Sequence, residues 1–447
     1  MNPMKKEFNK TPQLLISAAG LIFLGALFAR WWMSGVRSIP AQVSAIVSVL
    51  LFAGICLRFV PEWMNFWRTP AQPSVPSSEQ TPKLMDLKIF ATIMLTHAAI
   101  LGAVYVLRRL SGHEQSFTEY LEFWRCLDSN HYLQISREWY AAEGDARLLL
   151  VFFPGYPILV RLATQLTGNE LYAGFLVSML SFACAGCLFY RLMRLDHNHR
   201  FAVRALKYLC IIPGTFFYTA PMTESLFLLL CVGCIYFART GRWTLGCLLG
   251  GYAAFTRSLG ATLLAPLVME LVHSRAGKRE NGRRLAALLL VPLGLAAYLW
   301  INYAVSGDPF KFQEYQSEHW HQNLGMFFNT ASYQIAQLIS GWSSNPNTAL
   351  GLWAANLISC FGSLALVFAA AKKLRPSYTA WFVGYYAMAI GATWLLSAPR
   401  YLLTLFPVSV AMSTLTRKTE SDQLLTVCTV ALNLLYLYAF VARWQVW

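Results

Sequence analysis

The chain has 447 residues, 56% of them hydrophobic and only 13% charged, with a formal net charge of +15. A soluble globular domain carries about a quarter charged residues, and apolar runs near the roughly 20 residues of a bilayer crossing recur from end to end. The composition therefore excludes an ordinary soluble domain. It also argues against nucleic-acid binding, because the basic residues are spread through short loops, as on the cytoplasmic side of membrane proteins.

In chain order, hydropathy places apolar spans near 12–30, 41–60, 85–107, 171–190, 204–220, 222–238, 285–304, 348–371, 378–396, 400–416 and 423–441. Residues 14–28 have the apolar character of a signal peptide but no clear small-residue cleavage site, so they read as a retained helix. The apolar stretch 243–272 is too long for one span and too short for two. It reads as a pair of short or broken helices meeting at Arg257. The expected architecture is an all-α polytopic membrane protein with about 13 membrane segments.

The chain divides into an N-terminal helix pair (1–67), a Pro/Ser-rich linker (68–83) and a membrane domain (84–447). Basic stretches at the N-terminus and at 191–207, 238–242, 273–284, 372–375 and 416–422 all fall on one side of this layout, which the positive-inside bias makes the cytoplasm. "LRRL" at 107–110 is a local exception. Two long loops, 108–170 and 305–347, then face outward, and their aromatic and polar content predicts short interfacial helices. The CxxC pairs at Cys184/Cys187 and Cys231/Cys234 sit in apolar helices, where cysteine serves as a small packing residue.

The outer stretches carry the chemistry. In "FWRCLDSNHYLQISREWY" (123–140), helical spacing from Asp128 brings His131 or Tyr132, Ile135, and Glu138 or Trp139 near one side. Asp128 can be a helix cap, a carboxylate base, or both. "FFPGYPILV" (152–160) fixes an abrupt turn into apolar sequence, with at most an indirect role. Glu224, in "TAPMTESLFLLL" (219–230), suits the first turn of a helix and equally a place near a substrate. Arg257, in "AAFTRSLGA" (253–261), is a permanent cation in apolar surroundings, which calls for a lipid phosphate or an acid such as Glu224. Arg400 and Tyr401, in "SAPRYLLTLFP" (397–407), raise the same choice between phosphate contact and snorkelling. In "NYAVSGDPFKFQEYQSEHWHQN" (302–323), Gln316, His319 and Trp320 offer amide and aromatic contacts suited to a saccharide. The two histidines of "HWH" face different ways on a helix, so no metal is expected there.

These stretches resemble, in order, the signatures of the PIG-V type GPI mannosyltransferases and their bacterial relatives. "LDSNHYLQIS" resembles the family's acid followed by His-Tyr, and "FFPGYPILV", "APMTESLF", "FTRSLG", "SGDPFKFQ" and "APRYLLTLFP" follow over 85–447. Cys126-Leu127 stands where the family usually has an Arg-Trp or similar pair, and Asn130 replaces its Gly. The resemblance implies a GT-C fold and an inverting transfer, on the non-cytoplasmic face, of a sugar, mannose foremost, from a polyprenyl-phosphate carrier. The acceptor is a hydroxyl of a lipid, glycan or protein.

In that reading Asp128 is the general base, and Arg257, Arg400 and Tyr401 meet the lipid phosphate. His131, Tyr132, Glu224, Gln316, His319 and Trp320 meet substrate, with no cofactor or metal. The setting is a bacterial inner membrane with the N-terminus in the cytoplasm and the site facing the periplasm. The alternative is a transporter or lipid flippase, which usually shows internal repeats and midplane ionisable groups; no clear repeat is present.

Overall fold

The computed structural model describes residues 11–69 and 82–446. Most of the expected linker (70–81) and the basic stretch 1–10 lie outside the described residues. Two long helices open the chain, α1 (Thr11–Met33) and α2 (Ile39–Arg68), followed by α3 (Met85–Leu110). The first outer loop folds into α4 (Phe117–Leu121), α5 (Ser129–Glu138), a 3-10 turn (Asp145–Val151) and α6 (Gly155–Thr167). Then come α7 (Glu170–Arg194), α8 (His199–Ile211), α9 (Glu224–Arg239), α10 (Trp243–Thr256), α11 (Leu264–Ser274), α12 (Lys278–Leu288) and α13 (Leu290–Ser306). The second outer loop holds α14 (Lys311–Trp320) and α15 (Phe327–Ser344). After the short α16 (Pro346–Thr348) and a π-helical turn (Ala349–Ala354) come α17 (Ala355–Ala370), α18 (Pro376–Ala389), α19 (Ala398–Leu403), α20 (Pro407–Leu415) and α21 (Thr419–Val441).

Local chemistry sets several of these boundaries. Ser116 and Glu119 form a reciprocal capping box at the start of α4. Gly168, at φ +67°, ends α6, and the Asn169 side chain then accepts from the amides of Leu171 and Tyr172 to start α7.

Among the described residues, seven helical stretches are long and apolar enough to cross a membrane. The count of about 13 segments is therefore not reached by full-length spans. The other expected segments correspond to α8, α9, α10, α11, α18 and α20, which have 9 to 16 residues. A 16-residue helix covers about 24 Å, short of a hydrocarbon core of about 30 Å. The stretch 243–272 is indeed broken at Arg257, whose backbone is extended (φ −153°, ψ 139°) between α10 and a 3-10 turn. The abrupt turn expected at 152–160 is a bend of 112° between the 145–151 turn and α6.

The ends that carry the internal basic stretches meet at one end of the bundle. Arg239 and Arg375 bond Asp196, Arg375 also bonds Glu270, and Lys207 bonds Asp422. Asp86 bonds Arg191, and Arg275 donates to the Trp67 and Arg68 carbonyls at the end of α2. The N-terminal pair packs into the rest of the bundle. Trp31 Nε1 donates to Asn329 Oδ1 (2.8 Å), Ser44 Oγ donates to the Ala331 carbonyl (2.8 Å), and Phe52 meets Phe327 at 4.5 Å between ring centroids.

One glycine fixes how the first outer loop meets the break at Arg257. A Cβ on Gly155 would lie 2.3 Å from Thr256 Oγ1 and 3.0 Å from Thr256 Cα, and Tyr252 Oη donates to the Gly155 carbonyl (2.7 Å). Only a bare backbone fits against the last turn of α10. Gly155→Ala is expected to destabilise the fold by about 1–3 kcal/mol through overpacking. Thermal unfolding of the detergent-solubilised protein checks this, and an unchanged melting temperature would contradict the close approach.

Candidate active site

The first outer loop is anchored to α3 before it reaches α5. Trp124 Nε1 donates to Tyr120 Oη (2.8 Å), and Tyr120 Oη donates to the Leu101 carbonyl (2.8 Å). Ser129 Oγ accepts from the Cys126 amide (2.8 Å) and donates to the Trp124 carbonyl (2.9 Å), closing a tight turn. Within that turn Leu127 holds φ +52°, a left-handed conformation unusual for a bulky residue. Backbone outliers of this kind cluster at functional sites, and this one immediately precedes Asp128.

Asp128 occupies the N-cap position of α5, but its side chain makes no capping hydrogen bond. Its carboxylate instead accepts from Arg400 Nη2 at 2.7 Å. Arg400 also donates to Glu224 Oε1 from Nε at 2.9 Å, with Nη2 2.8 Å away. Arg257 Nη1 donates to the same Glu224 oxygen and to Thr223 Oγ1, each at 3.2 Å. Two carboxylates and two guanidiniums thus form one chain of contacts, Asp128–Arg400–Glu224–Arg257. The acid partner expected as one option for Arg257 is Glu224.

The four members differ in access. The Glu224 side chain is fully buried, Arg400 is 3% exposed and Arg257 11%, whereas the Asp128 side chain keeps 37% of its surface open. Glu224 therefore lies behind the arginines and not in the substrate position suggested by its sequence context. Its Oε2 is buried with no hydrogen-bond partner among the described residues. Tyr401 lies beneath Arg257, with its ring centroid 4.8 Å from the guanidinium carbon, and Phe217 lies 5.4 Å from that of Arg400.

An aromatic wall borders this cluster. His131 stacks on Phe152 (4.5 Å between centroids), Tyr132 meets the same ring edge-on (5.5 Å), and Trp320 reaches it from the second outer loop (5.9 Å). The structure thus joins His131, Tyr132 and Trp320 through Phe152, which the sequence analysis left in a merely structural motif. His319 is exposed and touches only the rings of Tyr315 and Trp320 among the contacts found. Gln316 Nε2 donates to Gln322 Oε1 (3.1 Å), and Gln322 in turn donates to the Trp394 carbonyl, so Gln316 helps tie the loop together. Thr223, which the sequence offers as the cap of α9, makes no capping hydrogen bond and accepts from Arg257 instead.

Burial raises the Asp128 carboxyl, but the Arg400 guanidinium outweighs it, helped by His131 and Arg257, and holds the carboxyl below the usual carboxylate range. Burial lowers His131 against the opposing pull of Asp128, so its imidazole is neutral at pH 7. The arrangement offers an ionised, partly open carboxylate beside two fixed cations. Such a site can take a proton on one side and offset negative charge on the other.

The family model described as Mannosyltransferase (PIG-V) matches residues 84–291. The match covers 208 of the 447 residues, a little under half of the chain. It contains Asp128, His131, Tyr132, Glu224 and Arg257, while Arg400 and the second outer loop lie beyond it. No curated protein sequence matches the chain. Among solved structures, the fold is similar to that of ArnT from Cupriavidus metallidurans, in a crystal structure with bound undecaprenyl phosphate. The TM-score is 0.51 at 15% identity, over 78% of this chain and 63% of that one. The chain thus spans less than two thirds of the length of that GT-C protein, and the likeness is one of fold.

Glu224 is the shared counter-ion of two buried arginines. Replacing it leaves charges uncompensated in low dielectric, which is strongly destabilising, about 3–5 kcal/mol. Glu224→Gln, which keeps the shape and removes the charge, is expected to lower the melting temperature in detergent markedly. Wild-type stability of that variant would show that the arginines have another counter-charge.

Proposed function

We propose that the protein is a glycosyltransferase that moves a sugar, a mannose in keeping with its PIG-V segment, from a polyprenyl-phosphate carrier to a hydroxyl acceptor. The observation that carries this reading is the contact between Asp128 and Arg400: the one partly open carboxylate of the cluster is held beside the buried cations. The family match supports the sugar, and the undecaprenyl phosphate bound by the structurally similar ArnT supports the carrier.

In the proposed reaction Asp128 takes the proton of the acceptor hydroxyl. The acceptor oxygen attacks the sugar C1, the bond from C1 to the phosphate oxygen breaks, and the configuration inverts. The leaving phosphate departs with the bonding electron pair toward Arg400 and Arg257. Fixed guanidiniums aimed at this developing charge lower the barrier without reorganising at the moment of reaction. Glu224 acts as a positioning residue, holding both arginines from behind. His131, Tyr132, Phe152 and Trp320 offer an aromatic surface for the sugar.

Arg400 is shared in the resting state, and that has a kinetic meaning. Its bond to Asp128 keeps the carboxylate a weak base. An incoming lipid phosphate competes for the same guanidinium and frees the carboxylate as donor binds. We place the site on the non-cytoplasmic face of a bacterial inner membrane, because the described basic stretches gather at the opposite end of the bundle.

Asp128→Asn is expected to lower transfer from a polyprenyl-phosphate sugar by at least about 100-fold, the usual scale of a lost general base. Normal protein levels with unchanged turnover would remove Asp128 from the reaction. The pH profile tests the handover of Arg400. A carboxylate with a depressed pKa is ionised above that pKa and loses its function as pH falls through it. The acid limb of kcat/KM, which reports the free enzyme, is therefore expected below about pH 4, and that of kcat, which reports the donor complex, at higher pH. Coincident limbs would rule out the handover.

A further inference from the structure

Arg108 and Arg443 come from the last turn of α3 and from just beyond α21. Their guanidinium carbons lie 4.3 and 4.2 Å from the centroid of the same ring, Phe123. That ring is buried and braced by Phe440 at 5.2 Å, so the two cations share a fixed platform. Arg443 also reaches the Phe123 carbonyl (3.4 Å), and its backbone holds φ +59°, a conformation that L side chains rarely adopt.

Two like charges held together call for an anion. Among the described residues no carboxylate pairs with either arginine, and Arg108 Nε is buried with no hydrogen-bond partner. Several acids of the adjoining loop are engaged elsewhere: Glu119 with Ser116, Glu122 with Arg125, Glu170 with Arg125 and Arg137, and Asp128 with Arg400. Trp444, the residue after Arg443, lines an apolar cleft of ≈ 290 Å³ together with Leu432, Leu435 and Ala439 of α21 and with Leu350 and Ile358. Cation pair and cleft together have the chemistry of an amphiphile, with an anionic head and a hydrocarbon chain.

We propose that Arg108 and Arg443 bind the phosphodiester of an anionic membrane phospholipid whose chain lies along this cleft. Guanidiniums pair with phosphate through charge-assisted hydrogen bonds. The cation pair is distinct from the arginines of the catalytic cluster, which Glu224 and Asp128 already neutralise, although Pro399, next to Arg400, also lines the cleft; the proposal does not depend on the transfer chemistry proposed above.

The test is native mass spectrometry of the full chain titrated in detergent with phosphatidylglycerol, phosphatidylcholine or undecaprenyl phosphate. Wild type is expected to retain phosphatidylglycerol in preference to phosphatidylcholine. Arg443→Gln and Arg108→Gln are each expected to weaken that binding roughly fivefold, the worth of one cation at an anionic lipid surface. Arg443 is exposed, so its variant keeps the test valid if Arg108→Gln fails to fold. Unchanged phosphatidylglycerol binding in Arg443→Gln would overturn the proposal. So would undecaprenyl phosphate displacing phosphatidylglycerol from wild type and losing affinity in Arg443→Gln, because the site would then belong to the sugar carrier.

Discussion

A single buried oxygen, Glu224 Oε1, determines how the polar interior of this protein is arranged. It faces three guanidinium nitrogens from two arginines that are far apart in sequence. A permanent cation inside a helical bundle is costly without a partner, so neither Arg257 nor Arg400 can be placed independently of Glu224. The helix that presents Glu224 starts at that residue, where an acidic side chain meets the positive end of the helix dipole favourably. The break between α10 and α11 and the short α19 bring the two arginines to it. Asp128 then binds the outer side of Arg400, and its position follows from an interaction made behind it.

The same helix has a second ionic group at its other end. Arg239 closes α9 and donates to both oxygens of Asp196, while Arg375 bonds Asp196 and Glu270. Glu224 and Arg239 stand at the two ends of the 16-residue α9, about 22 Å apart along its axis. The helix acts as a strut with a charged joint at each end, and the apolar bundle around it keeps water from loosening either joint. The N-terminal pair reinforces the end that bears the candidate site: α2 packs on α15, which leads out of the 305–347 loop.

Much of this was legible in the sequence, for reasons that also explain what was not. Arg257 announced a broken helix because a cation cannot sit in a continuous apolar span without a partner. The basic loops announced one end of the bundle, and the structure brings the described ones together. Asp128 was ambiguous because a residue at an N-cap position can turn its carboxylate to the helix amides or away from them, and only tertiary structure decides. The deciding partner, Arg400, is 272 positions away. Hydropathy does not separate full-length helices from shorter ones, because apolar composition persists across backbone breaks that it does not register. The bend before α6 was legible in the prolines of 152–160, whereas the bonds of Arg161 in α6 to the Ser136 and Arg137 carbonyls of α5 depend on tertiary structure. Phe152 was passed over because a ring in an aromatic-rich turn has no distinguishing pattern until its neighbours are known.

The ionic chain of Asp128, Arg400, Glu224 and Arg257 contains as many formal negative charges as positive ones. A charge that crosses the membrane field gains or loses about 2.3 kcal/mol per 100 mV. The assembled chain, summing to zero, couples to a transmembrane voltage only through the spacing of its charges along the field, whereas an anion entering it adds a net charge.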